Sequence, residues 1–337
     1  MRLLPLSSAL AAVCIAAGIV AGCSAAPTAA PSQSLDSIAR SNSGSIDFGV
    51  TGADLKKPAL LAVNSGTGAL EYWPIKGGGG VGPTRLSHNG IFSGSGLVAD
   101  GHVVAFGNAF PPEVITFDVL TKAKNTLPDP FGTPIDIAVG KDDSLYVINF
   151  TKGPTNVTMY PGGRPNPKKL MCRYSTTGEE VAVDNEGDIF VNGYENNGTG
   201  VVEIPNGPDG PEPQKCKELT ALQPETGYTA GLQVDPKTDA LIVLNDPDEC
   251  AGGEEGRMTI YHKPYRASTA VVHDIGQNCT GGMKLNADSS IVFVGDQDVS
   301  GSFTFILQRS YPDGTPLGNY QGGAPGSFAT IPNTLPN

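Results

Sequence analysis

The chain has 337 residues, 44 of them Gly and 28 Pro, with 39% hydrophobic residues and a formal net charge of −12. That length admits one large all-β domain or two ordinary domains, and the Gly and Pro content suits a turn-rich β fold with enough apolar residues for a core. An acidic chain cannot draw affinity from counterion release on a phosphate backbone, which excludes nucleic acid as an expected partner.

The first element in chain order is a targeting segment. Arg2 precedes "SALAAVCIAAGIVAGC", a run of small and apolar residues of secretory length but poor in large side chains. It ends in Val20-Ala21-Gly22-Cys23. This resembles the bacterial lipoprotein signal, which implies cleavage before Cys23 and acylation of its thiol. Residues 1–22 are then a signal peptide. Residues 23–57, with "SAAPTAAPSQSLDS", read as a lipidated Cys followed by an Ala/Pro/Ser-rich tether. Several acyl chains would hold the domain at a membrane surface, and no later run is long and apolar enough to span. The expected location is outside the cytoplasm, anchored to the cell membrane or outer membrane.

Without Cys14 and Cys23, four cysteines remain: Cys172, Cys216, Cys250 and Cys279. An even remainder in an exported chain suggests two disulfides, with three connectivities, against the alternative of buried free thiols. No CxxC or Cys/His cluster supports zinc.

Five copies of one pattern follow. "SGLVADGHVVAFGN", "IDIAVGKDDSLYVIN", "EEVAVDNEGDIFVN", "AGLQVDPKTDALIVLN" and "GGMKLNADSSIVFVGD" are each followed by one further short strand. The turn after the first strand begins near Asp100, Gly140, Asp184, Asp235 and Asn286, in steps of 40, 44, 51 and 51 residues. That period, with three or four short strands per unit, marks propeller blades. Runs such as "VVAF", "LYVI" and "LIVL" are continuously apolar, as strands covered on both faces must be. A sixth copy, "PALLAVNSGTGALEYWPIKGG", lacks a first strand, and the C-terminal "APGSFATIPN" is a strand without a partner. Ring closure solves both: the last residues supply the innermost strand of the blade begun at residue 58. The expected fold is an all-β, six-bladed β-propeller over residues 58–337, preceded by the signal peptide and flexible linker.

"GLQVDPKTDALIVLN", "VAVDNEGDIFVN" and above all "LYVINFTKGPTNVTMYPGGRPNP" carry a family likeness. The chain resembles the NHL-repeat propellers and their gluconolactonase/senescence-marker relatives, in a bacterial lipoprotein form. The shared residues are turn and core residues, so the resemblance speaks to architecture more than to activity. Gluconolactonase-type sites bind one divalent ion through Asn and Asp at innermost-strand entrances, in P-N-G and P-D-G contexts. The matching positions are Thr229-Ala230-Gly231 and Thr280-Gly281-Gly282, where neither ligand position offers a usable oxygen. This departure argues against lactone hydrolysis.

Asn64, Asn108, Asn149, Asn192 and Asn245 each follow a second strand, with Gly295-Asp296 in the last copy. A residue present in every blade serves what every blade needs, so local turn closure is the favoured reading. Asn149, Asn192 and Asn245 are the ligand-binding candidates if the ring serves a central pocket. "NDPDECAGGEEG" and "GDQDVSG" place Asp246, Asp248, Asp296 and Asp298 in corresponding loops of neighbouring blades. Such oxygen density suits a hard cation such as calcium, the one cofactor the sequence suggests. Asp296-Gln-Asp298-Val-Ser300-Gly301 opens like a calcium loop, but Leu307 stands where the bidentate acid belongs, and a solvated acidic loop is favoured. His88, His102, His262 and His273 pair with no nucleophile or carboxylate at a catalytic spacing. Trp73-Pro74, Tyr160-Pro161 and Ile204-Pro205 read as packing elements between blades, while Phe110, Phe150 and Tyr194 are the aromatics available for a carbohydrate platform.

Cys250 and Cys279 belong to one blade and should approach the same rim, whereas Cys172 and Cys216 sit in peripheral segments one blade apart, so 250–279 is the favoured pair. The expected function is a monomeric, non-catalytic binding or scaffolding module for a protein, small-molecule or carbohydrate ligand. The alternative is a metal-dependent hydrolase or lyase using Asn/Asp oxygens at the central rim.

Overall fold

In the computed structural model the described residues are 58–331, apart from 65–68, 76–77, 82–83, 86–96, 101–102, 120–122, 151–155, 174–176, 196–197, 223–227, 247–255, 276–279, 298–302 and 322–324. The signal segment, Cys23 and the tether lie outside them.

Six antiparallel sheets follow one another along the chain. In chain order the first carries β1 (Ala59–Asn64), β2 (Ala69–Pro74) and β4 (Thr84–Arg85), with β3 (Gly78–Val81) between the last two. The second holds β5 (Leu97–Asp100), β6 (Val103–Ala109), β7 (Pro112–Asp118) and β8 (Lys124–Pro128). The third holds β9 (Thr133–Val139), β10 (Leu145–Phe150), β11 (Asn156–Tyr160) and β12 (Lys168–Met171). The fourth holds β13 (Thr177–Val183), β14 (Ile189–Glu195), β15 (Gly198–Ile204) and β18 (Lys217–Glu218), with a small hairpin of β16 (Asn206–Gly207) and β17 (Gly210–Pro211) inserted. The fifth holds β19 (Tyr228–Val234), β20 (Leu241–Asp246), β21 (Arg257–Tyr261) and β22 (Ala270–Asp274). The sixth holds β23 (Thr280–Leu285), β24 (Ile291–Gln297), β25 (Phe303–Ser310) and β26 (Pro316–Gln321), and β27 (Pro325–Ile331) ends the described chain.

The two ends of the ring are tied twice. β27 pairs antiparallel with β1, from Ala59 opposite Ile331 to Asn64 opposite Pro325, and so supplies the missing innermost strand of the first blade. β3 leaves the first blade and pairs in parallel with β26, from Gly78 opposite Gly318 to Val81 opposite Gln321, extending the sixth blade to five strands.

The innermost strands β27, β5, β9, β13, β19 and β23 pack side by side in that cyclic order, and β23 returns to β27. The arrangement is a six-bladed β-propeller.

Side-chain alternation explains the continuous apolar runs. Ala59, Leu61 and Val63 meet Val104 and Phe106 of the second blade, while Leu60 and Ala62 meet Phe293 and Ile306 of the sixth. Leu145 and Val147 face the second blade, and Tyr146 and Ile148 the fourth. Each strand thus feeds two of six interblade cores, one for every neighbouring pair. Trp73, Tyr160 and Ile204, which close third strands, are fully buried in these cores.

The Asp and Asn turns after the first strands fix their hairpins locally. Asp184 Oδ1 accepts the Glu186 and Asp188 N–H groups, both at 2.9 Å, and Asn286 Oδ1 accepts those of Ser290 and Ile291, both at 2.9 Å. Two of the Asp turns are clasped by the next blade. Tyr265 OH donates to Asp184 Oδ2 at 3.4 Å, and Tyr311 OH to Asp235 Oδ2 at 3.4 Å.

One disulfide is described, the pair that the favoured 250–279 connectivity leaves over. Cys172 and Cys216 are joined, with Cα atoms 5.9 Å apart. Cys172 follows the outermost strand β12 and Cys216 precedes the outermost strand β18, and both are buried in the core between the third and fourth blades. Segments one blade apart are therefore close enough to bridge at the periphery. Cys250 and Cys279 lie outside the described residues.

Candidate functional site

The second-strand asparagines share a place in the blade but not a single set of partners. In several blades the innermost strand carries a bulge near its entrance, opposite the end of the second strand: near Asn149 in the third blade, Asn192 in the fourth and Asn245 in the fifth. A bulge takes an inner-strand N–H out of the ladder. In the fourth blade Asn192 Oδ1 accepts the Glu180 N–H at 2.8 Å, and its Nδ2 donates to Glu180 Oε2 at 3.2 Å. Asn108 closes the next loop instead, with Nδ2 donating to Glu113 Oε1 at 3.1 Å and Phe110 O at 3.3 Å. Asn149 donates to Thr158 Oγ1 at 2.7 Å. Asn149 and Asn245 are both buried, and each keeps an Oδ1 that no donor reaches. The Asn64 side chain lies outside the described residues.

Along the axis, the innermost strands present their free edges, and polar side chains from neighbouring blades cover them. Asp136 Oδ2 accepts the Val181 N–H of the next blade at 3.0 Å. Gln233 Oε1 accepts the Leu285 N–H of the next blade at 2.8 Å, and Thr330 Oγ1 lies 3.5 Å from Leu285 O. Lys284, on the sixth blade, acts electrostatically on Asp136 of the third and Glu180 of the fourth. The third and sixth blades stand opposite one another in a ring of six, so this attraction crosses the axis. Enclosure pushes the Asp136 carboxyl up, opposed by the charge of Lys284. It pushes the Lys284 ammonium down, opposed by Asp136 and Glu180. One ammonium is thus attracted to two carboxylates on the far side of the axis. Asp136, Glu180 and Lys284 were not singled out from sequence. For Asp136 and Lys284 the signal was a lone charge inside otherwise apolar inner strands, "IDIAV" and "GMKL".

Another acidic group stands at the opposite ends of the inner strands. Asp184, Glu186 and Asp188 have carboxylate oxygens within 4.8 Å of one another. Lys263 of the next blade sits among them, 3.1 Å from Asp184 Oδ2, 3.1 Å from Glu186 Oε2 and 3.5 Å from Asp239 Oδ2. Burial pushes the Asp184 carboxyl up, and Lys263 pulls it back. The ammonium supplies the positive charge that a metal would, so this cluster reads as an interblade ion pair.

The sequence-predicted metal residues are reached in part. Asp246 ends β20, and Asp296 holds the corresponding place in β24 of the neighbouring blade, opposite Tyr228 and Thr280 respectively. Their side chains, with Asp248 and Asp298, lie outside the described residues. Gly231, which matches the Gly beside the ligand position at Ala230 in the family resemblance, is a packing residue: a Cβ there would lie 2.9 Å from both Leu244 Cβ and Met283 Cβ. His262 is exposed and His273 half-buried.

No family model matches the chain, and no curated protein matches it. Solved structures do. One chain of a nidogen/laminin complex is 11% identical with a TM-score of 0.60, covering 82% of this chain and 99% of that one. TolB from Acinetobacter baumannii is 11% identical with a TM-score of 0.61, covering 82% and 67%. A functionally unknown protein from Desulfotomaculum acetoxidans is 13% identical with a TM-score of 0.51, covering 79% and 80%. The chain is a β-propeller protein. At these identities the likeness extends to the fold alone. Among the described residues of this propeller no helix is long and apolar enough to cross a membrane.

Proposed function

We propose that this propeller is a non-catalytic binding or scaffolding module of the NHL-like kind. It is carried by an exported lipoprotein that is acylated at Cys23 and held at a bacterial membrane by the 23–57 tether. The observation that carries this reading is the occupation of the inner polar groups. Asp136, Asn192 and Gln233 are each bonded to inner-strand backbone, and Lys284 is drawn to two carboxylates. These side chains hold the ring together, and among the described residues none forms a nucleophile–base pair. Binding then falls to the loops at the blade ends, where Phe110 exposes 41% of its surface in the turn between β6 and β7. The same fold in a nidogen/laminin complex supports a protein partner.

The test is expression of the full chain in a bacterial host with an alkyne-palmitate label, alongside Cys23→Ala, followed by cross-linking in intact envelopes. Label and detergent-phase partition should vanish in the variant, and a discrete cross-linked partner should be captured by the anchored wild type. Label that persists in Cys23→Ala, or metal-dependent turnover of lactones by the purified propeller, would overturn the proposal.

A further inference from the structure

Where the second blade hands over to the third, four polar residues are sealed between the sheets. Asp129 follows β8, Asn149 ends β10 and Asn156 and Thr158 lie on β11, and they are 4%, 1%, 1% and 0% exposed respectively. Asn149 and Asn156 are directly opposed across the β10–β11 ladder, beside the Val147–Thr158 pair. All three β-strand residues share the face that Val147 and Tyr160 turn toward the second blade.

Their hydrogen bonds run back to one carboxylate. Thr158 Oγ1 receives Asn149 Nδ2 at 2.7 Å and donates to Asp129 Oδ1 at 2.9 Å. On the other side Phe131 donates its N–H to Asp129 Oδ1 at 3.0 Å and receives Asn156 Nδ2 on its carbonyl at 2.7 Å. Thr158 and Phe131 spend their only proton in this loop of bonds, and Asn149 and Asn156 each spend one of two amide protons. Three acceptors remain: Asp129 Oδ2, Asn149 Oδ1 and Asn156 Oδ1, all buried and all without a donor.

Three acceptor oxygens without a donor are costly to bury and are stabilised by positive charge. We infer that Asp129, Asn149 and Asn156 form an interblade cation site, distinct from the acidic loops at Asp246 and Asp296, that takes a hard divalent ion of calcium type. Oxygen donors without nitrogen or sulfur select against zinc and copper. Calcium accepts mixed carboxylate and amide-carbonyl shells, whereas magnesium keeps several waters that a sealed interface does not favour. One carboxylate makes a weak site, with a Kd on the order of 1 mM, in the range of extracellular modules.

The experiment uses the mature chain and Ca2+ as the probe, with melting followed in EDTA, in about 10 mM CaCl2 and in MgCl2 of equal ionic strength. At a Kd of about 1 mM, Ca2+ should raise the melting temperature by about 2 °C over EDTA. Asp129→Asn, which keeps the shape, should remove that rise. Tb3+ luminescence gives a readout independent of stability. Tyr160 lies beside Asp129 and should sensitise bound Tb3+, Ca2+ should displace it, and Tyr160→Phe should dim it. If Asp129→Asn does not fold, the wild-type and Tyr160→Phe luminescence decide alone. Equal melting in Ca2+ and EDTA with no tyrosine-sensitised emission, as a water-filled site would give, overturns the inference. So does a Ca2+ shift that survives in Asp129→Asn, which would place the ion elsewhere.

Discussion

Removing the Cys172–Cys216 bridge isolates the contribution of one peripheral cross-link to the ring. The two residues are 44 apart in sequence, and both are buried in the core between the third and fourth blades. In the chain-entropy model, closing a loop of about 45 residues removes about 13 cal/mol/K from the unfolded chain, or about 4 kcal/mol at 25 °C. Spread over the roughly 270 residues of the propeller, at about 2.1 cal/mol/K each, that corresponds to a fall in melting temperature of about 7 °C. Cys172→Ala/Cys216→Ala is the appropriate perturbation, because a reductant would also act on any bond between Cys250 and Cys279. Calorimetry of the oxidised wild type and the double variant gives the difference directly, and mass spectrometry of the unreduced chain verifies the pairing. A fall of less than about 2 °C would refute the loop-entropy reasoning. Free thiols at Cys172 and Cys216 in the unreduced protein would refute the bridge itself.

Three further outcomes follow from the packing. Lys263→Met leaves Asp184 buried without its ammonium and should cost about 2 kcal/mol in urea unfolding, whereas a metal-bound cluster would tolerate the loss in the presence of its ion. Gly231→Ala places a methyl group 2.9 Å from two rigid Cβ atoms and should destabilise by about 1 to 3 kcal/mol, with a lower urea midpoint at unchanged m-value. Burial, with the nearby charge of Asp142, pushes the Tyr146 hydroxyl up to about 12, against a hydrogen bond with Ser144. Its folded-state pKa lies above the unfolded one. The stabilisation is therefore fully present below about pH 10 and is lost as pH rises through about 12. Tyr146→Phe should flatten that alkaline slope, and an unchanged slope would count against it.

What could be read from sequence was what neighbouring residues decide among themselves. Asp184, Asp235 and Asn286 announced their turns because an Asx side chain bonds backbone only a few residues away. Runs such as "LYVI" announced burial on both faces because alternate residues serve alternate interfaces. The unpaired copy at residue 58 and the orphan strand at the C-terminus needed each other. Other features depend on the ring itself. Lys284 acts on Asp136 only because six blades bring opposite strands within electrostatic reach across the axis. The Cys172–Cys216 pair depends on how near outer strands of adjacent blades approach, a radial distance that no spacing encodes. β3 was invisible because "GGGV" carries no apolar alternation and pairs through backbone alone. Asp129 gave no signal because its partners lie 20 to 29 residues downstream in the next blade.

The double clasp of the ring sets an order of events for the nascent chain. The first sheet waits for a strand made of seven residues near the far end of the sequence, whereas the glycine strip that extends the sixth sheet is made long before it. A ribosome or a translocation channel that still holds residue 331 therefore holds an open arc with two raw edges. Ring closure therefore falls to the last strand to emerge, and until then the inner edge of the first sheet has no partner strand.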